Sequence, residues 1–478
     1  MNLENMVLNK ELADIKDQVK SIFFYRICGT GMGACACLAK EAGFEVAGAD
    51  VTFSPPMSTY LETLDIPLKN LDELTHQDLQ KYDLIVVGNS VPRNSEHAKF
   101  VEQAGVSFTS FPSFLGEFIL KEREVIGLAG THGKTTSTYF LAQMLENLGE
   151  EAGYFVGGII DGRPPSRLGK SKYFIIESDE YDSAYFQKIS KFRLYKLNHM
   201  ILTSLEYDHA DIFESIEDIK KEFAAIIPHL SGCIVANDDY TAIKELEQEF
   251  PQKEWKYYGT KTPTGPSHIK SNEKLSSFHL ELDGKDYLFE TNVVGVHNIL
   301  NISACIKVLF EVGFTVEKLQ QSVKHLAMVK RRQEVRGFYH HSLVIDDFAH
   351  HPKAITLTLD ALKAKYPHKK LVTVFEPISA TARSSVFQKE FARSLQKSPQ
   401  VIIAVNPLKT TVEKSKNLDT QQLVNDLNSS GVEAKEIFDV DTLMSQLKDW
   451  SGEDKLIAVL SNRTCIGLWE SKFVQELI

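Results

Sequence analysis

Short apolar runs rich in β-branched residues alternate with helix-period patterns along nearly the whole chain. This alternation predicts α/β units built on mainly parallel sheets. In the first third, Ile22–Ile27, Glu45–Ala49 and Leu84–Val87 read as strands, with a helix near Ala34–Glu41 between the first two. A second unit opens with the strand Val125–Ala129 and continues through Tyr173–Ile176, Met200–Thr203 and Cys233–Ala236. From Pro263 to Tyr287 the pattern shifts to alternating polar and apolar positions, as in antiparallel strands, before a helix near Asn298–Val312. A third unit follows Lys330-Arg331-Arg332, with strands at Leu343–Ile345, Leu371–Phe375, Val401–Val405 and Leu456–Leu460. The expected domains are therefore 1–123, 124–328 and 329–478.

Length and composition agree with three soluble units. The chain has 478 residues, and a domain takes roughly 150. Hydrophobic residues make up 43% and charged residues 24%, which is ordinary for a globular protein. A net charge of -11 argues against nucleic acid or an anionic membrane as the main partner. No apolar stretch is long enough to cross a bilayer, and the charged N-terminus lacks the apolar core of a signal peptide. It reads as a short surface helix in a cytoplasmic protein. The six cysteines contain no CxxC pair, so reduced thiols are expected rather than a disulfide framework or zinc site.

Five segments carry chemistry, each beyond a strand where an α/β sheet places ligands. Gly130-Thr131-His132-Gly133-Lys134-Thr135-Thr136 reads as a phosphate-binding loop at a helix start. Lys134 is placed to reach the terminal phosphates, and the Thr135 hydroxyl to bind Mg²⁺. Its glycines, Gly127, Gly130 and Gly133, depart from the common spacing, because position 128 is Leu128. In Glu177–Asp182, Glu177 is the candidate second magnesium ligand. In Glu206–Asp211, His209 suits a metal ligand or a proton carrier. Gly29-Thr30-Gly31-Met32-Gly33-Ala34, with Asp50 at the next strand end, matches a dinucleotide fingerprint. Taken by itself it suggests an NAD-dependent oxidoreductase, but the same geometry serves any diphosphate. Asp346–Pro352 pairs acids with histidines and suggests ribose, phosphate or metal contacts. Zinc is disfavoured there, because no third ligand lies at helical spacing.

Together these segments resemble the Mur ligase family of peptidoglycan synthesis, from about Phe23 to the end of the chain. The resemblance implies a Rossmann-like UDP-binding domain, a central P-loop ATPase domain and a C-terminal Rossmann-like ligase domain. His132 in the phosphate loop resembles the branch acting directly on UDP-N-acetylmuramate. Within that branch, five stretches fit the peptide-recycling member better than the L-alanine-adding one: Pro55–Thr59, Asp179–Asp182 with Ser190–Phe192, Leu205–Phe213, Arg331–Gly337 and Asp346–Pro352. The implied activity is ATP-driven amide formation between UDP-N-acetylmuramate and L-alanyl-γ-D-glutamyl-meso-diaminopimelate, with ATP and Mg²⁺ as cofactors. L-alanine ligation is the alternative. A non-catalytic nucleotide-switched binder is a further alternative, against which Lys134, Thr135 and Glu177 speak. By resemblance, Gly29–Gly33, Asp50, Met57, Ser58, Asn89 and Ser90 line the UDP-sugar site, and His209 binds a second magnesium. His297 and Asn298 contact the nucleotide. Arg332 and Asp347 reach it from the closing third domain, while Arg383, Asn462 and Arg463 face the incoming peptide. A monomer or weak homodimer is expected.

Overall fold

The computed structural model describes the chain apart from residues 1–2, 56, 158–162, 209–211, 273–274, 380–381 and 407–416. Three larger sheets organise it, beside a three-stranded and a two-stranded one. The first has five parallel strands in the order Leu68–Asn70, Glu45–Asp50, Ser21–Tyr25, Leu84–Val87, Phe108–Ser110. The order reverses between Ser21–Tyr25 and Leu84–Val87, and such a switch point opens a ligand crevice at the strands' carboxyl ends. The N-terminal helix, Asn9–Ile15, is less superficial than its charges suggest. Leu12 is fully buried, and Val7 N–H donates to Phe108 O at 3.0 Å, so this segment closes the sheet's edge.

The second sheet has seven strands, with Glu124–Ala129 flanked in parallel by His199–Leu202 and Tyr173–Ser178. Its central helix, Lys134–Asn147, is buried from Thr135 to Leu145. It packs on the sheet beside the helix Val296–Glu311, where the Cys305 thiol reaches Ser137 O at 3.5 Å. One hydroxyl this helix buries bonds backward: Thr138 Oγ1 donates to Lys134 O at 2.9 Å. Ser267–Ser271, Ser276–Leu282 and Lys285–Thr291 form the expected antiparallel sheet.

The third sheet runs Glu334–Tyr339, Ser342–Asp347, Lys455–Leu460, Lys370–Phe375, Gln400–Ala404, Glu433–Ile437. Its first pair is antiparallel and the rest parallel. Glu433–Ile437 escapes the apolar-run reading because its exposed positions, Glu433 and Lys435, are polar, and Glu334–Tyr339 because Glu334, Arg336 and Gly337 interrupt its apolar residues, of which Val335 and Phe338 are exposed. The first-unit helix begins at Thr30, four residues before the expected Ala34. Its first turn is therefore made by the glycine fingerprint itself. Among the described residues, no helix is long and apolar enough to cross a membrane.

Candidate active site

The phosphate loop is held in shape by the neighbouring strand end. Gly130 takes φ +122° and Gly133 φ +84°, conformations that side-chain-bearing residues rarely adopt. Thr131 N–H donates to Ser204 O at 3.3 Å, and His132 N–H donates to Ser204 Oγ at 2.7 Å. Thr203 Oγ1 donates to His132 O at 2.5 Å. The Thr131 hydroxyl accepts from Glu206 N at 2.9 Å. Gly133 then precedes the helix Lys134–Asn147 with no side-chain cap, which leaves a helix N-terminus facing the loop's concavity, the arrangement that favours an anion.

Lys134 Nζ donates to Gly130 O at 2.6 Å and to Glu180 Oε2 at 3.1 Å, with Asp179 Oδ1 at 4.0 Å. Burial would lower its pKa, but Glu180, Asp179 and Glu177 outweigh that and hold it above its ordinary value. The ammonium is therefore firmly charged. Thr135 Oγ1 donates to Glu177 Oε1 at 2.9 Å, while Glu177 Oε2 accepts from Gly157 N at 2.8 Å. Burial raises the Glu177 pKa against the pull of Lys134. A nearby cation would reverse that shift. A hydroxyl and a carboxylate side by side at the strand end are hard oxygen donors, and they fit magnesium. His209, expected as a second magnesium ligand, lies outside the described residues.

At the first sheet's switch point, Gly29, Thr30, Asn89 and Ser90 are exposed together. Asp50 fixes this loop: its Oδ2 accepts from Cys28 N at 2.8 Å, its Oδ1 from Val51 N at 2.8 Å, and Arg26 sits 3.4 Å away. Met32, Met57 and Ser58 are buried. A Cβ on Gly33 would sit 2.2 Å from Met57 Sδ, and one on Gly88 2.9 Å from Met32 Cγ. The two methionines thus pack beneath the loop, and the exposed edge is left to Gly29, Thr30, Asn89 and Ser90. The second unit joins here: Ser166 Oγ donates to Ala34 O at 2.8 Å.

The third unit meets the second beside the phosphate loop. Gln333 Nε2 lies 3.2 Å from His297 Nε2, and the His132 and His351 rings are 4.7 Å apart, centre to centre. Burial, with Arg332 nearby, holds His297 down at a pKa of about 4. Asp347 is turned inward, accepting from Gln333 N and Ala349 N, each at 2.8 Å. Arg332 lies over the Phe348 ring at 5.0 Å. Asn298 is buried and donates to Val294 O at 2.9 Å. Arg463 is exposed and Asn462 half-buried beyond Lys455–Leu460. Arg383 lies in another segment, where its backbone accepts from Leu418 N at 2.6 Å. Glu180, Thr203 and Ser204 complete the loop's support and were not singled out from the sequence. The acidic run around Glu180 and the strand end around Thr203 marked their neighbourhood but not their roles.

Three family descriptions tile the chain: the Mur ligase family catalytic domain over 21–123, the Mur ligase middle domain over 128–309 and the Mur ligase glutamate ligase domain over 331–463. The chain belongs to the Mur ligase family. It is 34% identical over 400 residues, 80% of this chain and 85% of the relative, to the UDP-N-acetylmuramate–L-alanyl-γ-D-glutamyl-meso-2,6-diaminoheptandioate ligase of Haemophilus influenzae. Against the UDP-N-acetylmuramate–L-alanine ligase of Streptococcus pneumoniae the identity is 30% over 390 residues, 80% of this chain and 83% of the relative. The crystal structure of a murein peptide ligase from Psychrobacter arcticus superposes with a TM-score of 0.69 at 28% identity, covering 95% of this chain and 98% of that one. A Mur ligase is an enzyme that forms an amide, and the three-sheet architecture described above is that of its family.

Proposed function

We propose that this Mur ligase uses ATP to join UDP-N-acetylmuramate to L-alanyl-γ-D-glutamyl-meso-diaminopimelate, a reaction of peptidoglycan recycling in the cytoplasm. The observation that carries the reading is the convergence of Lys134, Thr135 and Glu177 on one strand-end loop. The greater identity to the peptide-adding relative than to the alanine-adding one supports the choice of amine. The proposed working units are 1–123 for the sugar nucleotide, 124–328 for ATP and 329–478 for the peptide, acting as a monomer or weak homodimer.

A carboxylate resists attack by an amine because it is a poor electrophile with a poor leaving group. In the proposed reaction its oxygen takes the γ-phosphoryl group of ATP, giving an acyl phosphate and ADP. The peptide's α-amine then attacks the carbonyl carbon, the C–O bond breaks, phosphate leaves, and the amine loses a proton. Gly130–Thr136 cradles the phosphates through the loop's backbone. Lys134 leaves Glu180 for the migrating phosphoryl oxygens, supplying charge that catalysis of this kind mainly needs. Thr135 and Glu177 hold magnesium, with His209 assigned to a second ion. When bound, magnesium neutralises charge on the transferring group. Exposed Gly29, Thr30, Asn89 and Ser90 hold the sugar nucleotide. His297, Asn298, Arg332 and Asp347 shape the nucleotide's side of the inter-unit face, and Arg383, Asn462 and Arg463 take the peptide. The third unit's approach to the loop excludes water, which would hydrolyse the acyl phosphate.

The test is phosphate release from ATP with UDP-N-acetylmuramate and either the tripeptide or L-alanine. Tripeptide-dependent turnover with little response to L-alanine is expected. Equal or better turnover with L-alanine overturns the assignment.

A further inference from the structure

Three side chains to which the proposed reaction gives no chemistry meet where the second and third units touch. His132 projects from the phosphate loop, Glu206 lies beyond the strand His199–Leu202, and His351 caps the helix Pro352–Lys365. One ligand atom from each lies within 4.8 Å of the other two. His132 Nε2 and Glu206 Oε2 are 3.2 Å apart. Among the described residues, His132 Nε2, Glu206 Oε2 and His351 Nε2 are buried atoms without an aligned hydrogen bond. His132 and Glu206 already attract one another across that gap, whereas His351 Nε2 has no such partner among the described residues. A buried polar atom left so costs about 1–3 kcal/mol, and one cation at this point would satisfy all three atoms together.

We propose that His132, Glu206 and His351 form a binding site for a transition-metal ion of the zinc type, separate from the Thr135–Glu177 pair. Two imidazoles and one carboxylate are a set that zinc, cobalt and nickel take in preference to magnesium. Bonds of roughly 2.0–2.2 Å around a tetrahedral ion space the donors roughly 3.3–3.6 Å apart. The His132–Glu206 pair already stands near that spacing, and His351 needs a movement on the order of an ångström. Three protein ligands leave one position open to water. His351 Nδ1 accepts a long bond of 3.3 Å from Lys353 N. Coordination through Nε2 moves the ring proton to Nδ1 and exchanges that bond for the metal. Because His351 belongs to the third unit and the other two ligands to the second, the ion fastens the two units together beside the phosphate loop.

This site stands whether or not the proposed substrates are correct. The test uses the full chain, without a histidine tag and stripped of metal, titrated with Co²⁺ in the absence of nucleotide. Visible d–d absorption saturating at one ion per chain is expected, with displacement by Zn²⁺ but not by excess Mg²⁺. His351→Gln and Glu206→Gln, which change different units, each weaken Co²⁺ binding on the order of 10–100-fold or more. Thr135→Ala leaves it unchanged. Circular dichroism establishes that each variant is folded; should one fail to fold, the other supplies the reading. Absence of saturable Co²⁺ absorption, binding unaltered by both substitutions, or loss of binding in Thr135→Ala overturns the proposal.

Discussion

Replacing Gly130 by alanine tests whether the phosphate loop depends on its close approach to a neighbouring strand end. At φ +122° an L side chain is strained by roughly 1–2 kcal/mol. A Cβ there would stand 2.4 Å from Ser204 O, 2.6 Å from Thr203 Oγ1 and 2.7 Å from Ser204 N. Two of those atoms are backbone, and the same residues hold His132 N and His132 O, so no flexible side chain is free to yield. Overpacking of this kind costs about 1–3 kcal/mol, which brings the total to about 2–5 kcal/mol. Gly149 supplies the control: its φ is +84°, and nothing lies within 4 Å of its Cβ position. Gly149→Ala therefore bears only the conformational cost, about 1–2 kcal/mol. The assay is thermal unfolding of the full chain with and without ATP and Mg²⁺. Near 2–4 °C per kcal/mol for a unit of this size, Gly130→Ala falls roughly 4–20 °C and loses the stabilisation by nucleotide. Gly149→Ala falls by roughly 2–8 °C and keeps it. Equal losses in the two variants, with nucleotide stabilisation intact in both, would refute the reasoning.

Three further outcomes follow from the same geometry. Lys134→Ala abolishes ligation and also destabilises the fold, because it removes a cation from beside the buried Glu180; breaking a buried pair costs roughly 3–5 kcal/mol. Adding Glu180→Gln restores stability but not turnover, and recovered turnover would show that Lys134 acts only structurally. Asp50→Ala removes the acceptor for Cys28 N and Val51 N, so stability drops by about 1–3 kcal/mol. Steady-state kinetics then show a raised KM for the sugar nucleotide and an unchanged KM for ATP; a change confined to ATP contradicts the placement of its site. His297 is held at about 4 against an ordinary value of 6.5, so between those values the unfolded chain binds more protons. Its contribution is present above pH 6.5 and is lost as pH falls from 6.5 towards 4. Urea midpoints across that range should fall with acid, and His297→Gln should flatten the slope; an unchanged slope excludes the half-buried imidazole as its source.

The strands were legible because buried parallel strands are apolar on both faces. Glu433–Ile437 was missed because its exposed positions are polar, and Glu334–Tyr339 because Glu334, Arg336 and Gly337 break up its apolar residues, two of which, Val335 and Phe338, face solvent. Glycine spacing marked both loops, but it did not separate residues that line a surface from residues that pack beneath it. Met32 lies in the glycine fingerprint and Met57 in the Pro55–Thr59 stretch, yet both are buried beneath the loop, since Gly33 and Gly88 leave room for their side chains. The acidic run after Tyr173–Ile176 named Glu177. It did not name Glu180, whose value lies in being buried against a lysine 46 residues earlier.

The same limit bears on the metal cluster. Local spacing disfavoured zinc near His350 and His351, because no third ligand lies within a helical turn. The third dimension supplies His132 and Glu206 from the second unit instead. Their convergence rests on the loop's support: Ser204 Oγ and Thr203 Oγ1 fix the His132 backbone from both sides. Thr131 Oγ1 in turn holds Glu206 by its backbone. One set of bonds thus shapes the concavity for phosphate and aims two side chains at His351. The contact between the His132 and His351 rings therefore joins the phosphate loop directly to the third unit.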